Sequence, residues 1–197
     1  IPLQSAYCAA KHAIVGFTDS LRSELIHDKS RIDLTVVHLP AVNTPQFEWA
    51  RSKMPRRAQP LPPIFEPEVI AEAICHAASH PRREYWLGYP TLKAILGQKL
   101  APGFADHVLA RVAYDGQMTD EARVVDRPDN LFEPERSPFA ARGRFSDRAH
   151  SASPFIWASE HRDALWLAGG AIGLGLVGAA VAALLGPSGS SRTELVR

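Results

Sequence analysis

The sequence predicts an α/β fold followed by a membrane-spanning helix, and three stretches carry that prediction. A helical pattern begins at Ser5 and runs on with Ile14, Phe17, Leu21 and Leu25 as its apolar stripe. After a turn at Asp28-Lys29-Ser30 comes Ile32-Asp33-Leu34-Thr35-Val36-Val37-His38-Leu39, rich in β-branched residues and closed by Pro40, which reads as a buried parallel strand. Far downstream, residues 164–186 hold no charged or strongly polar side chain and are long enough to cross a hydrocarbon core of about 30 Å.

The first helix also carries the chemistry. Tyr7 and Lys11 stand at positions i and i+4, so the phenol and the ammonium project from one face and can reach one site. A phenol, with an ordinary pKa of about 10, is a poor acid or base at neutral pH. A fixed cation close by favours its ionised form and makes it useful for moving a proton on or off an alcohol oxygen. Ala6, Ala9, Ala10 and Ala13 keep the first two turns slim, so something large can approach them. Taken alone, the spacing equally describes a surface lysine beside a half-buried tyrosine. The strand that follows ends in Pro40-Ala41-Val42-Asn43-Thr44-Pro45, and in open α/β sheets ligands bind at the carboxyl ends of strands.

Tyr7-x-x-x-Lys11 at the head of a long helix, with Pro40-Ala41-Val42-Asn43-Thr44-Pro45 after the next strand, resembles the C-terminal half of a short-chain dehydrogenase/reductase, whose loop reads Pro-Gly-x-Val-x-Thr. The resemblance covers residues 1 to 90. It implies a doubly wound parallel, Rossmann-like sheet, incomplete at its N-terminus, and an enzyme that passes a hydride between NAD or NADP and an alcohol or carbonyl substrate. It makes Tyr7 the general acid/base and Lys11 its activator and a ligand of the nicotinamide ribose. Pro40, Ala41, Val42 and Thr44 would line the nicotinamide, with Thr44 and the Val42 backbone reaching its carboxamide. Ala41 stands where the family has glycine, so a positive φ there would cost more than glycine would. The family's Gly-rich dinucleotide turn is absent, and Ser5 lies too close to Tyr7 to be its catalytic serine. With no initiator Met, the chain reads as part of a longer polypeptide, inactive alone, and its function as that of the parent.

The division expected is a dehydrogenase segment over residues 1–125, a linker over 126–163, the membrane span 164–186 and a polar tail 187–197. Pro55, Pro60, Pro62, Pro63 and Pro67 break up the stretch where the resemblance places a substrate lid, with Phe47, Trp49 and Phe65 as an apolar wall. Arg51, Lys53, Arg56 and Arg57 read first as a solvated part of that lid, an anionic substrate or a membrane surface being the other readings. Glu66–His80 predicts a helix with Val69, Ile70, Ala73, Ile74 and Ala77 on one face, Glu84–Gly88 a last strand, and residues 90–114 two short helices broken at Ala101-Pro102-Gly103. Residues 126–160 mix Pro with both charge signs and show little periodicity, which is linker composition. Within the span, Gly169-x-x-x-Gly173 would permit close helix pairing, and Trp166 sits where an interfacial aromatic belongs.

A net charge of +1 across 197 residues gives no reason to expect nucleic acid as a partner. Cys8 and Cys75 read as small packing residues, and His76 and His80 as a helix-end pair rather than metal ligands. The whole predicts a single-pass membrane oxidoreductase with a cytoplasmic catalytic domain, anchored in lipid through 164–186 and forming a homo-oligomer. Its partner would be a small-molecule alcohol or ketone of apolar character. The alternative is a membrane-tethered Rossmann-like scaffold without chemistry, which would have no need to keep both Tyr7 and Lys11.

Overall fold

The computed structural model describes residues 1–136 and 139–169. They fall into two units, residues 1–160 and a second that begins at His161. The first unit opens with α1 (Ser5–His27), whose low-entropy alanines favour helix from its first turns. It stops where Lys29 takes a positive φ of 52° and the Ser30 amide donates back to the Leu25 carbonyl at 2.9 Å, a Schellman closure built on lysine in place of glycine. The packed face of α1 is turned from the predicted one. Thr18 is buried, with Val15, Leu21, Arg22 and Leu25 half-buried, while Ile14 and Phe17 are exposed. Arg22 sets that orientation by donating to the carbonyls of Leu34 and Arg83, and Arg83 pairs with Asp19 on α1.

After α1 come β1 (Val36–His38), β2 (Ala41–Val42), α2 (Gln46–Trp49), β3 (Arg56–Ala58), β4 (Ile64–Phe65) and α3 (Pro67–Ser79). The unit continues through β5 (Glu84–Trp86), α4 (Tyr89–Leu100), α5 (Pro102–Gly116), β6 (Met118–Ala122) and α6 (Pro154–Glu160). Here β1 runs parallel to β5 with Val37 opposite Tyr85, and β2 runs parallel to β4 with Val42 opposite Phe65. By contrast, β3 and β6 form an antiparallel ribbon with an irregularity between Arg56 and Ala58.

The expected doubly wound sheet is therefore not what forms: among the described residues the strands lie in three two-stranded sheets, and helices hold more of the chain than strands do. Pro40 gives the physical reason. It has no N–H to donate, so the β1–β5 ladder stops at His38, and after two unpaired positions the chain pairs again from Ala41 with a different strand, β4.

The core lies where α3 and α6 meet the strands. Phe65, Ile70, Ala73, Ala77, Tyr85, Leu87 and Ile156 form one buried cluster, with Val37, Val42 and Val69 packed against it. Pro67 starts α3 at the first-turn position that tolerates proline, and Ile70, Ala73 and Ala77 supply its inner face, while Ile74 is 44% exposed. Residues beyond 126 contribute to this core as well. The His150 amide donates to the Ile64 carbonyl at 2.8 Å, and the Glu66 amide donates to the His150 carbonyl at 3.0 Å, adding a strand-like bridge beside β4. Phe145 and Ile156 are each 3% exposed.

In the second unit, residues 162–169 are helical. The membrane-spanning helix expected over 164–186 is corrected here. Among the described residues no helix is long and apolar enough to cross a membrane, so the single-pass placement and the cytoplasmic orientation built on it are not upheld. Residues 170–186, with most of the small-residue pattern, lie outside the described residues.

Candidate active site

Tyr7 and Lys11 sit one turn apart near the head of α1, both exposed, with Lys11 Nζ 5.3 Å from the centre of the Tyr7 ring. An ammonium at that range is attracted by the ring face. Among the described residues neither side chain makes a hydrogen bond or ion pair with the rest of the protein, so both polar ends are open to a ligand.

The head of α1 is fixed from the far side by Gln117, which is 2% exposed. Its side-chain oxygen accepts from Gln4, and its amide nitrogen donates to the Pro2 carbonyl at 3.0 Å and the Ala113 carbonyl at 2.8 Å. The Gln117 backbone carbonyl accepts from the Gln59 amide at 2.9 Å. One buried amide thus ties the residues just before Tyr7 to the end of α5 and the start of the β3–β6 ribbon.

Pro40, Ala41, Val42 and Thr44 are half-buried at the carboxyl end of β1 and along β2. Ala41 pairs with Ile64 and is not among the described residues with positive φ, so the glycine-to-alanine departure from the family loop imposes no left-handed strain. The Thr44 amide donates to the Val42 carbonyl at 2.9 Å, which tightens the loop and occupies that oxygen. Among the described residues the Thr44 hydroxyl has no hydrogen-bond partner, and no hydrogen bond, ion pair or ring contact joins Tyr7 or Lys11 to this loop.

Asn43, between Val42 and Thr44, is completely buried and organises the loop. Its Nδ2 donates to Glu66 Oε2 at 3.0 Å and to Ser146 Oγ at 2.9 Å, and its Oδ1 accepts from the Phe145 amide at 3.1 Å. The Asn43 carbonyl accepts from the Gly143 amide at 3.0 Å. A Cβ on Gly143 would lie 2.6 Å from the Thr44 carbonyl oxygen and 2.8 Å from Asn43 Oδ1, so only glycine permits this approach. The segment around residues 143–146 is therefore clasped onto the back of the loop, and the charged quartet Glu48, Arg57, Glu121 and Arg144 extends the clasp from α2 to the ribbon. Hydrogen bonds from Arg144 first and Arg57 second hold the Glu121 carboxyl below its usual range.

Of the three aromatics expected to wall a substrate lid, Phe65 is a core residue instead. Phe47 meets Phe145 edge-on at 6.1 Å, and the Trp49 carbonyl accepts from the Asn130 amide at 3.1 Å. His76 and His80 stack on each other at 4.2 Å. Neither Cys8 nor Cys75 is buried. Sequence reasoning passed over Asn43 and Gln117. An asparagine between two loop-lining residues was a faint signal, and Gln117 offered none.

A nicotinamide nucleotide can be tested against these groups. The Tyr7 phenol, Lys11 ammonium and Thr44 hydroxyl are groups of the kinds that bind a ribose and a carboxamide, although no contact joins the first two to the third among the described residues. The chain is 32% identical over 131 residues to a Bacillus subtilis (strain 168) protein named uncharacterized oxidoreductase YxnA, a match that takes in 65% of this chain and 35% of the relative. The chain thus spans about a third of the length of the curated relative it matches. No protein-family model matches it, and no solved structure matches it.

Proposed function

We propose that this chain is the substrate-side part of an oxidoreductase of the short-chain dehydrogenase/reductase type, acting on a small-molecule alcohol or ketone with NAD or NADP. The observation that carries the reading is the Tyr7–Lys11 pair, two open polar groups held one turn apart on a helix whose head is pinned by a buried glutamine. The similarity to a protein named as an oxidoreductase supports the general class. The loop of Pro40, Ala41, Val42 and Thr44 supports the finer one: Val42 and Thr44 keep the Val-x-Thr spacing of the family pattern, with Pro40 one residue nearer to them and Ala41 in place of glycine.

In this reading Tyr7 Oη gives its proton to the carbonyl oxygen in reduction, or takes the hydroxyl proton in oxidation. Lys11 stabilises the ionised phenol and holds ribose hydroxyls. Thr44 hydrogen-bonds the carboxamide, and Val42 and Pro40 supply apolar contact to the ring and keep water from it. The nicotinamide, when bound, carries the hydride. General acid/base assistance of this kind contributes about 10²–10⁴ in rate.

The test is to incubate the full-length protein with NADH or NADPH and a panel of aliphatic, aromatic and steroid-sized ketones, following nicotinamide absorbance. Ketone-dependent oxidation of one of the two nucleotides is expected. No turnover of any alcohol or ketone with either nucleotide, by a protein that is folded by circular dichroism, would count against it.

A further inference from the structure

The molecule holds a second recognition feature, away from the tyrosine and lysine. A cleft of about 490 Å³ opens between the stretch 47–58, running from α2 through β3, and the stretch 123–129 that follows β6. Six of its lining side chains are cationic and two are carboxylates. Most charged surfaces are neutralised pairwise, so the partners of each cation decide whether any charge is left for a ligand. Arg51 is taken by Asp129 at 2.6 Å, Arg56 by Asp115 and Asp120, and Arg57 by Glu48 and Glu121.

Among the described residues the other three cations, Lys53, Arg123 and Arg127, form no ion pair with a carboxylate. Arg127 donates through Nη1 to the Phe47 carbonyl at 3.1 Å and through Nη2 to the Ala50 carbonyl at 2.7 Å. Two neutral carbonyls fix the guanidinium and leave donors of its fork unused, and the one carboxylate whose charge it feels, Asp129, is shared with Arg51. Lys53 and Arg123, both exposed on the cleft wall, pair with no carboxylate among the described residues. The turn that presents Arg127 is built through Asp126, whose φ of 59° is a left-handed conformation that Asp tolerates better than most residues.

We infer that this cleft binds a small oxyanion, a carboxylate or phosphate group of an organic molecule, held between Lys53, Arg123 and the backbone-anchored Arg127. A concave site of this size suits a small molecule, and the guanidinium fork suits the two oxygens of such an anion. Phe47 and Val124, also in the wall, offer an apolar surface to the body that carries it. The inference stands apart from the oxidoreductase reading, since it needs neither Tyr7 nor a nucleotide.

Calorimetric titration of the full-length protein with inorganic phosphate and with succinate tests it, comparing wild type with the double variant Lys53→Met/Arg123→Met. Both side chains are exposed and pair with no carboxylate among the described residues, so the variant should keep the thermal midpoint of the wild type. Saturable binding of at least one probe, weakened by about tenfold or more in the double variant, is expected from the loss of charge-assisted hydrogen bonds. Tighter binding of phosphate would mark the natural group as a phosphate, and tighter binding of succinate as a carboxylate. Saturable binding of neither probe, or a loss in the variant smaller than tenfold, would overturn the site. Should the double variant melt early, Lys53→Gln alone must still weaken binding, and unchanged affinity there would overturn it as well.

Discussion

Lys11 carries its ammonium 5.3 Å from the centre of the Tyr7 ring, with both side chains exposed one turn apart on α1. An ammonium there has two jobs in the proposed site, to stabilise an ionised phenol and to hold ribose hydroxyls. Lys11→Met in the full-length protein should therefore lower kcat by about tenfold or more and weaken nucleotide binding as well. Lys11→Arg, which keeps the charge, should retain part of both. Steady-state kinetics with a direct nucleotide-binding titration separates the two effects. A methionine variant unchanged in both would make Lys11 an ordinary surface charge.

Asn43 should be among the most sensitive positions in the fold. Asn43→Ala leaves the nearly buried Glu66 carboxylate without its amide donor and the Phe145 amide without its acceptor. Stranding buried polar groups costs about 1–3 kcal/mol each, so a loss of about 3 kcal/mol in denaturant unfolding is expected. Asn43→Asp should be worse at neutral pH, because it sets a second carboxylate against Glu66, and part of the loss should return on acidification as one of the two takes a proton. A loss under about 1 kcal/mol for Asn43→Ala would show that the segment around 143–146 is not clasped as described.

The elements with strong local signals were legible in the sequence. Pro67 and the spacing of Ile70, Ala73 and Ala77 announced α3, and Ala101-Pro102-Gly103 announced the break between α4 and α5. The β-branched run announced β1, though only Val36–His38 of it pairs. What the pattern could not show was how the strands combine. Whether Pro40 interrupts one ladder or begins another depends on the partner strand, and no local residue states that. The facing of α1 was misjudged because Arg22 and Thr18, polar by type, fill the packed side while Ile14 and Phe17 face outward. Bridges such as His150 to Ile64, and the Asn43 network, join residues about a hundred positions apart without periodicity, so composition alone could not find them.

The β1–β5 pair should carry a pH signature. The Trp86 indole donates to Glu84 Oε2 at 2.7 Å, and this bond, with His38, Lys99 and Arg83 nearby, holds the Glu84 carboxyl below its usual range. A carboxyl depressed in the folded state stabilises it above the unfolded-state pKa of about 4.3, and that contribution disappears as the pH falls through the folded value. Trp86→Phe should move the Glu84 titration upward towards the ordinary value. The variant should be less stable than wild type at neutral pH for this reason, with the gap narrowing in acid. Carboxyl-carbon NMR titration of Glu84 reads the shift directly, and an unchanged titration would remove Trp86 as its cause.

The most direct test of the account is the kinetics of Tyr7→Phe in the full-length protein. The substitution removes one oxygen from an exposed ring that makes no hydrogen bond among the described residues, so folding should be untouched. With the ketone and nucleotide that the wild type turns over, kcat should fall by about 10²–10⁴ while nucleotide affinity changes little. A phenylalanine variant that turns over at close to the wild-type rate would contradict the assignment of Tyr7 as the group that moves the proton.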